Sequence, residues 1–128
     1  MLEATMPARV DRDTFEQFAE EALDGLPLAL RDRMSNVEIF VEDLPGEEAA
    51  AHGRSGHLLG LYHGIPLTER GEAYWGVMPD RIFLYQRNIE NACRSLEELR
   101  DLVHTTVIHE VAHHFGIDDD RLDELGWA

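Results

Sequence analysis

Lysine is absent from the chain, and all eleven basic positions are arginine. That bias fits a GC-rich coding sequence, because arginine codons are GC-rich. Cysteine is nearly absent too. Cys93 stands alone, so no intramolecular disulfide can form, and the staples on which small extracellular domains often rely are excluded. A reducing cytoplasm is the expected compartment. Long apolar runs are missing as well. Residues 1–13 carry acids, arginines and a proline rather than a signal-peptide core, and no segment approaches the ~20 apolar residues of a membrane helix. Repeats and low-complexity tracts are also lacking.

The charge is one-sided. Eleven basic against 26 acidic residues leave a net charge of −15, a field that repels nucleic acid and anionic membranes and attracts cations. Neither nucleic acid nor membrane is expected as a partner. Hydrophobic residues at 44% and charged residues at 29% describe an ordinary globular chain. Its 128 residues suit one domain, 1–128, around one core.

Periodicity sketches the elements. Phe15, Phe18, Ala19, Ala22, Leu23 and Leu26 recur at three- and four-residue steps. They predict an N-terminal helix, with Asp13 as cap, Glu16 as its reciprocal acid, and Gly25 and Pro27 as the stop. A short helix is expected at 28–34. Val37, Ile39 and Val41 alternate with Glu38, Phe40 and Glu42, a strand with one buried face. Residues 43–56 read as a surface loop, 58–62 as a short strand and 63–79 as a turn-rich stretch. A third strand is expected at 81–87, from Arg81 through Ile82, Phe83, Leu84, Tyr85 and Gln86 to Arg87. Ser95 and Glu98 form a capping box opening a long helix with an apolar stripe of Leu96, Leu99, Val103, Val107 and Val111. Helix, strands, then helix predict an α+β domain whose small sheet packs on that stripe.

The chemistry lies near the end of this helix, in His109-Glu110-Val111-Ala112-His113-His114-Phe115-Gly116-Ile117-Asp118-Asp119. Histidines four apart share a helical face, roughly 6 Å between β-carbons, and can reach one metal ion. Glu110 sits about 100° around the helix from His109, placed to act on a water rather than to coordinate. A continuing helix would carry Asp119 about 9 Å past His113 and off its face. Gly116 can take the left-handed conformation that ends helices, which frees the chain to bring Asp119 back. Two histidines and a carboxylate suit catalytic zinc with one position open for water. Asp118 or Asp120 would replace Asp119 if the turn differed by one residue.

Blander readings stand beside these. A bare H-E-x-x-H arises by chance on exposed faces, but the helical context, the glycine break and the spaced acid disfavour that here. His114 and His104 point off the ligand face and read as packing or capping residues. The acid run 118–120 lacks the oxygen spacing of a calcium loop. Tyr62, His63, Tyr74 and Tyr85 are candidate donors to an oxyanion. Arg70 reads as a solvated or loop-holding arginine, and Trp75 as core or loop packing.

At these residues the sequence resembles the zincin metallopeptidases, in particular a family of small bacterial zincin-like proteins marked by H-E-x-x-H-x-x-G-x-x-D near the C-terminus. Gly60-Leu61-Tyr62-His63-Gly64-Ile65-Pro66-Leu67-Thr68-Glu69-Arg70-Gly71 and Pro79-Asp80-Arg81-Ile82-Phe83-Leu84-Tyr85 are similar to that family's loop and strand. The resemblance implies a minimal zincin, with a small mixed sheet beside the motif helix. Two departures separate the chain from the longer metzincin pattern. Asp119 stands where a third histidine would, and no methionine lies among the nine residues after it.

Two functional classes follow. One is a zinc-dependent endopeptidase of narrow specificity, with His109, His113 and Asp119 holding Zn2+ and Glu110 as general base. The other is a metal-binding interaction module on the same scaffold. An acid beside an open position is superfluous in a closed structural site, which favours the enzyme. By its place before the motif helix, and by the resemblance, the strand at 81–87 is the expected partner of an extended peptide substrate. Arg81 and Arg87 at its ends would favour acidic substrates, although arginine on an edge strand also guards against aggregation.

Overall fold

The computed structural model describes residues 7–34, 36–51, 57–64 and 79–127. Arg70, Tyr74 and Trp75 therefore lie outside the described residues. The chain is α+β. In order come α1 (Arg12–Asp24), α2 (Leu28–Arg31), β1 (Val37–Glu42), α3 (Glu47–Ala51), β2 (Gly60–His63), β3 (Asp80–Tyr85), α4 (Gln86–Asn91), α5 (Leu96–His114) and α6 (Asp119–Leu125). No helix among the described residues is long and apolar enough to cross a membrane.

Helix α1 starts two residues earlier than its acid pattern suggested. Asp11, not Asp13, is the cap: it holds an extended backbone and accepts a 2.8 Å hydrogen bond from the Thr14 amide. Asp13 falls in the first turn, where a carboxylate still favours the positive end of the helix dipole. Helix α5 is capped by Ser95, whose Oγ accepts from the Glu98 amide at 3.1 Å. The Glu98 carboxylate reaches back one residue further than a capping box requires, to the Arg94 amide at 2.6 Å.

The sheet has the order β1-β3-β2. β1 runs parallel to β3 with Val37 opposite Asp80, and β2 runs antiparallel to it with Leu61 opposite Phe83. One face, with Ile82 and Leu84, joins Phe15, Ala19 and Ala22 of α1 and Leu99, Val103, Val107 and Val111 of α5 in the main core. These four α5 side chains are fully buried, each worth roughly 1.5–3 kcal/mol relative to exposure. The opposite face holds Leu61, Phe83 and Tyr85, with Phe40 stacked on Phe83 at 5.5 Å between ring centroids.

Three expectations are corrected. The stretch at 43–56 is not all loop, because residues 47–51 form α3 and bury Ala49. The third strand stops at Tyr85, and Gln86 and Arg87 open α4. Gln86 is buried, and its amide donates to Val10 O and Glu90 Oε2 while its oxygen accepts from Arg12 Nε. Four residues apart on a helix, Gln86 and Glu90 satisfy each other and the segment before α1 together. Most consequentially, β3 is the central strand. Its backbone is engaged by β1 on one side and β2 on the other, so no edge is left on it for a substrate strand.

Candidate metal centre

Helix α5 presents three faces. Val103, Val107 and Val111 enter the core; Thr106, Glu110 and His114 meet β2; and His109 and His113 face outward with ring centroids 5.7 Å apart.

The helix ends as its glycine requires. Gly116 has φ +82, a region costly for any residue with a β-carbon. Its amide donates to His113 O at 3.0 Å, and the Ile117 amide to Ala112 O at 2.9 Å, the paired bonds of a Schellman motif. Ile117 and Ala112 both pack into the core. The reversal delivers Asp118 to the N-cap of α6, where its Oδ1 accepts from the Arg121 amide at 2.9 Å. Asp119, the next residue, then swings back over α5.

The result is a convergence of three donor atoms. Asp119 Oδ1 lies 2.8 Å from His113 Nε2 and 3.8 Å from His109 Nδ1. Ligand atoms of all three residues fall within 4.8 Å of one another. Tetrahedral zinc with bonds of about 2.0–2.2 Å sets its donors roughly 3.4 Å apart, so two nitrogens and one oxygen fit the ion after small side-chain adjustments. Of the neighbouring acids, Asp118 is occupied as a cap and Asp120 is not part of this group. The side chains of His109, His113 and Asp119 are 31%, 45% and 70% exposed, leaving the open side of the group in reach of water and substrate.

Glu110 follows His109 directly in the chain. Its Oε1 accepts the Tyr62 amide of β2 at 3.1 Å. The contact is part of a longer match between strand and helix. Gly60 abuts Thr106, where a β-carbon would lie 2.8 Å from Cγ2, and Gly64 abuts His114, where it would lie 2.5 Å from Cε1. Two strand residues span about 6.6–6.8 Å and four helical residues about 6 Å. Residues 60, 62 and 64 therefore keep step with 106, 110 and 114.

Residues 34–127 match the family of zincin-like metallopeptidases. The chain belongs to that family. The match takes in the whole sheet and α3 to α6, with α1 lying before it. No curated protein matches the chain.

Other residues singled out from the sequence are distributed unevenly in this zincin-like metallopeptidase. Tyr62 does not offer its hydroxyl to the centre, because it donates to Asp80 Oδ2 at 2.7 Å. Tyr85 is fully buried and donates to Glu48 Oε2 at 2.9 Å; burial, then the hydrogen bond and charge of Glu48, push its pKa up. His63 ends β2. His114 packs as expected, stacked on Tyr62 at 3.9 Å and 19°. Desolvation lowers its pKa, against the pull of Asp80. His104 Nε2 is buried and lacks a hydrogen-bond partner among the described residues.

One residue escaped the sequence reading. His57, together with Leu58, Leu59, Gly60, Leu102, Thr105 and Thr106, lines a groove of about 320 Å³ that ends at His109, Glu110 and His113. No spacing rule links His57 to the motif, and only the packing of β2 on α5 brings it near.

Proposed function

We propose that the chain is a zinc-dependent peptidase in which His109, His113 and Asp119 hold the metal and Glu110 is the general base. The observation that carries the reading is the convergence of those three donors beside a carboxylate fixed by one oxygen to the neighbouring strand. Zinc, when bound, lowers the pKa of a water toward roughly 7 and polarises a carbonyl. The chain's own residues do the rest. Glu110 Oε1 accepts the Tyr62 amide, and the carboxylate so held takes the proton of the attacking water and passes it to the departing amine.

The substrate on this reading is an extended peptide. It does not run along β3, whose sides are both taken, but lies over the groove between β2 and α5. Leu58, Leu59 and Leu102 make this groove a site for an apolar side chain. With the Tyr62 and Tyr85 hydroxyls engaged elsewhere, His57 on the groove is the proposed donor to the oxyanion.

The test combines metal analysis with a peptide library. Wild type should hold one zinc per chain and cleave, and Glu110→Gln should keep zinc while losing about 10²- to 10⁴-fold in rate. Zinc lost together with activity would move Glu110 into the ligand set. Full zinc without cleavage by wild type would favour a metal-binding module.

A further inference from the structure

Tyr62 is held at three points. Its hydroxyl donates to Asp80 Oδ2 at 2.7 Å, and its ring stacks on His114 at 3.9 Å and meets Phe115 edge-on at 6.3 Å. Its amide donates to Glu110 at 3.1 Å. Asp80 is itself anchored, its own amide donating to Asn36 O at 2.9 Å. Tyr62 is only 6% exposed, so these contacts are made inside the protein, where a hydrogen bond to a carboxylate is stronger than in water.

The direction of the amide follows from the register. Hydrogen-bonded and non-hydrogen-bonded pairs alternate along an antiparallel ladder. The Tyr85 amide donates to Leu59 O, so the Leu61 and Phe83 pair is also hydrogen-bonded, and Tyr62 turns its amide away from β3. Gly60 and Gly64, bare of side chains against Thr106 and His114, let β2 come close enough for that amide to reach Glu110.

Deepening the peptidase reading on which it rests, we infer that Tyr62 is a positioning residue for the general base: its amide fixes the orientation of the Glu110 carboxylate, and its anchored side chain fixes the amide. Nothing in this role requires Tyr62 to touch substrate. Its loss should therefore act on turnover rather than on substrate or zinc binding.

Three substitutions in the zinc-loaded protein separate the parts. Tyr62→Phe keeps the stack and loses the Asp80 bond; Tyr62→Ala loses both; Tyr62→Pro loses both and the amide donor as well. Zinc content should be unchanged in all three, with KM within about twofold and kcat falling in the order Phe, Ala, Pro. Proline should cost about tenfold beyond alanine, a part of the 10²- to 10⁴-fold that a general base contributes. Equal kcat for Ala and Pro, or a raised KM with kcat unchanged, overturns the inference. Amide hydrogen exchange supplies an arm that needs no activity and no variant at position 62. In Glu110→Ala, exchange at the Tyr62 amide should accelerate at least about tenfold while Leu61 stays protected in its ladder. Unchanged exchange at Tyr62 overturns the inference too. A wild type that binds zinc and cleaves nothing would refute the peptidase reading, whereas the exchange experiment would still decide whether Tyr62 holds Glu110.

Discussion

Gly60 and Thr106 touch where no side chain can stand between them. A β-carbon on Gly60 would lie 2.8 Å from Thr106 Cγ2 and 3.1 Å from the Phe83 carbonyl oxygen. Strand β2 is thereby seated directly on α5, one helical turn before Glu110. Gly60→Ala should cost about 1–3 kcal/mol by overpacking, read as a lower urea midpoint with an unchanged slope. Adding Thr106→Ser removes Cγ2 and keeps the hydroxyl bond to Leu102 O at 2.7 Å, so the double variant should recover part of the loss. No recovery would mean that the Phe83 carbonyl is the obstacle.

Asp118 and Asp119 are neighbours with different duties. Asp118→Ala removes the cap on α6 and should cost about 1 kcal/mol with zinc affinity nearly intact. Asp119→Ala should weaken zinc on the order of 100-fold or more, beyond the 10- to 100-fold typical of an outer-sphere partner. Zinc titration by calorimetry compares the two directly. An equal loss in both variants would contradict the ligand assignment.

Gly116 connects helix geometry to the proposed metal centre. At φ +82, Gly116→Ala should cost about 1–2 kcal/mol, and zinc affinity should fall with it because the same turn aims Asp119. Gly116→Asn, which tolerates the left-handed region better, should lose less of both. Thermal denaturation with and without zinc measures the pair.

Stability should depend on pH through Glu42. Desolvation, a hydrogen bond to Glu48 and the charge of Glu48 raise the Glu42 pKa to about 7, against the pull of Arg12. Burial would raise Glu48 as well, but hydrogen bonds from Glu42, from backbone amides including that of Gly46, and from Tyr85 bring it below its ordinary value. A carboxyl whose pKa is raised by folding stabilises the fold fully below its unfolded pKa of about 4.3. That contribution is lost as pH rises through about 7. The urea midpoint should therefore fall between about pH 4 and 7, and Glu42→Gln should flatten this limb. A limb of unchanged slope in the variant would assign it to another group.

The groove predicts specificity. Leu102, on its α5 wall, should prefer an apolar substrate side chain beside the scissile bond. Leu102→Asp should lower kcat/KM for such peptides about 10- to 200-fold, the range of hydrophobic-pocket discrimination, with zinc content unchanged. A library profile indifferent to this substitution would place the substrate elsewhere.

Much of this was legible in local pattern. The α+β class, the apolar stripe of α5, the Ser95 cap and the left-handed turn at Gly116 depend on interactions within a few residues, and periodicity or backbone sterics reports those directly. The spacing of His109, His113 and Asp119 belongs to the same class, since one helical turn and one glycine reversal bring the three together. Pairing across the chain is a different matter. Phe83, Leu84 and Tyr85 read equally well as an edge or a central strand, because burial on both faces follows either from a sheet interior or from packing layers. Only tertiary structure seated β3 between β1 and β2 and turned Gln86 into a helix to satisfy Glu90 and the segment before α1. The meeting of Tyr62 with Glu110 was also a tertiary decision: 48 residues separate them, and no local rule couples a strand step of two to a helix step of four until the two elements lie in contact.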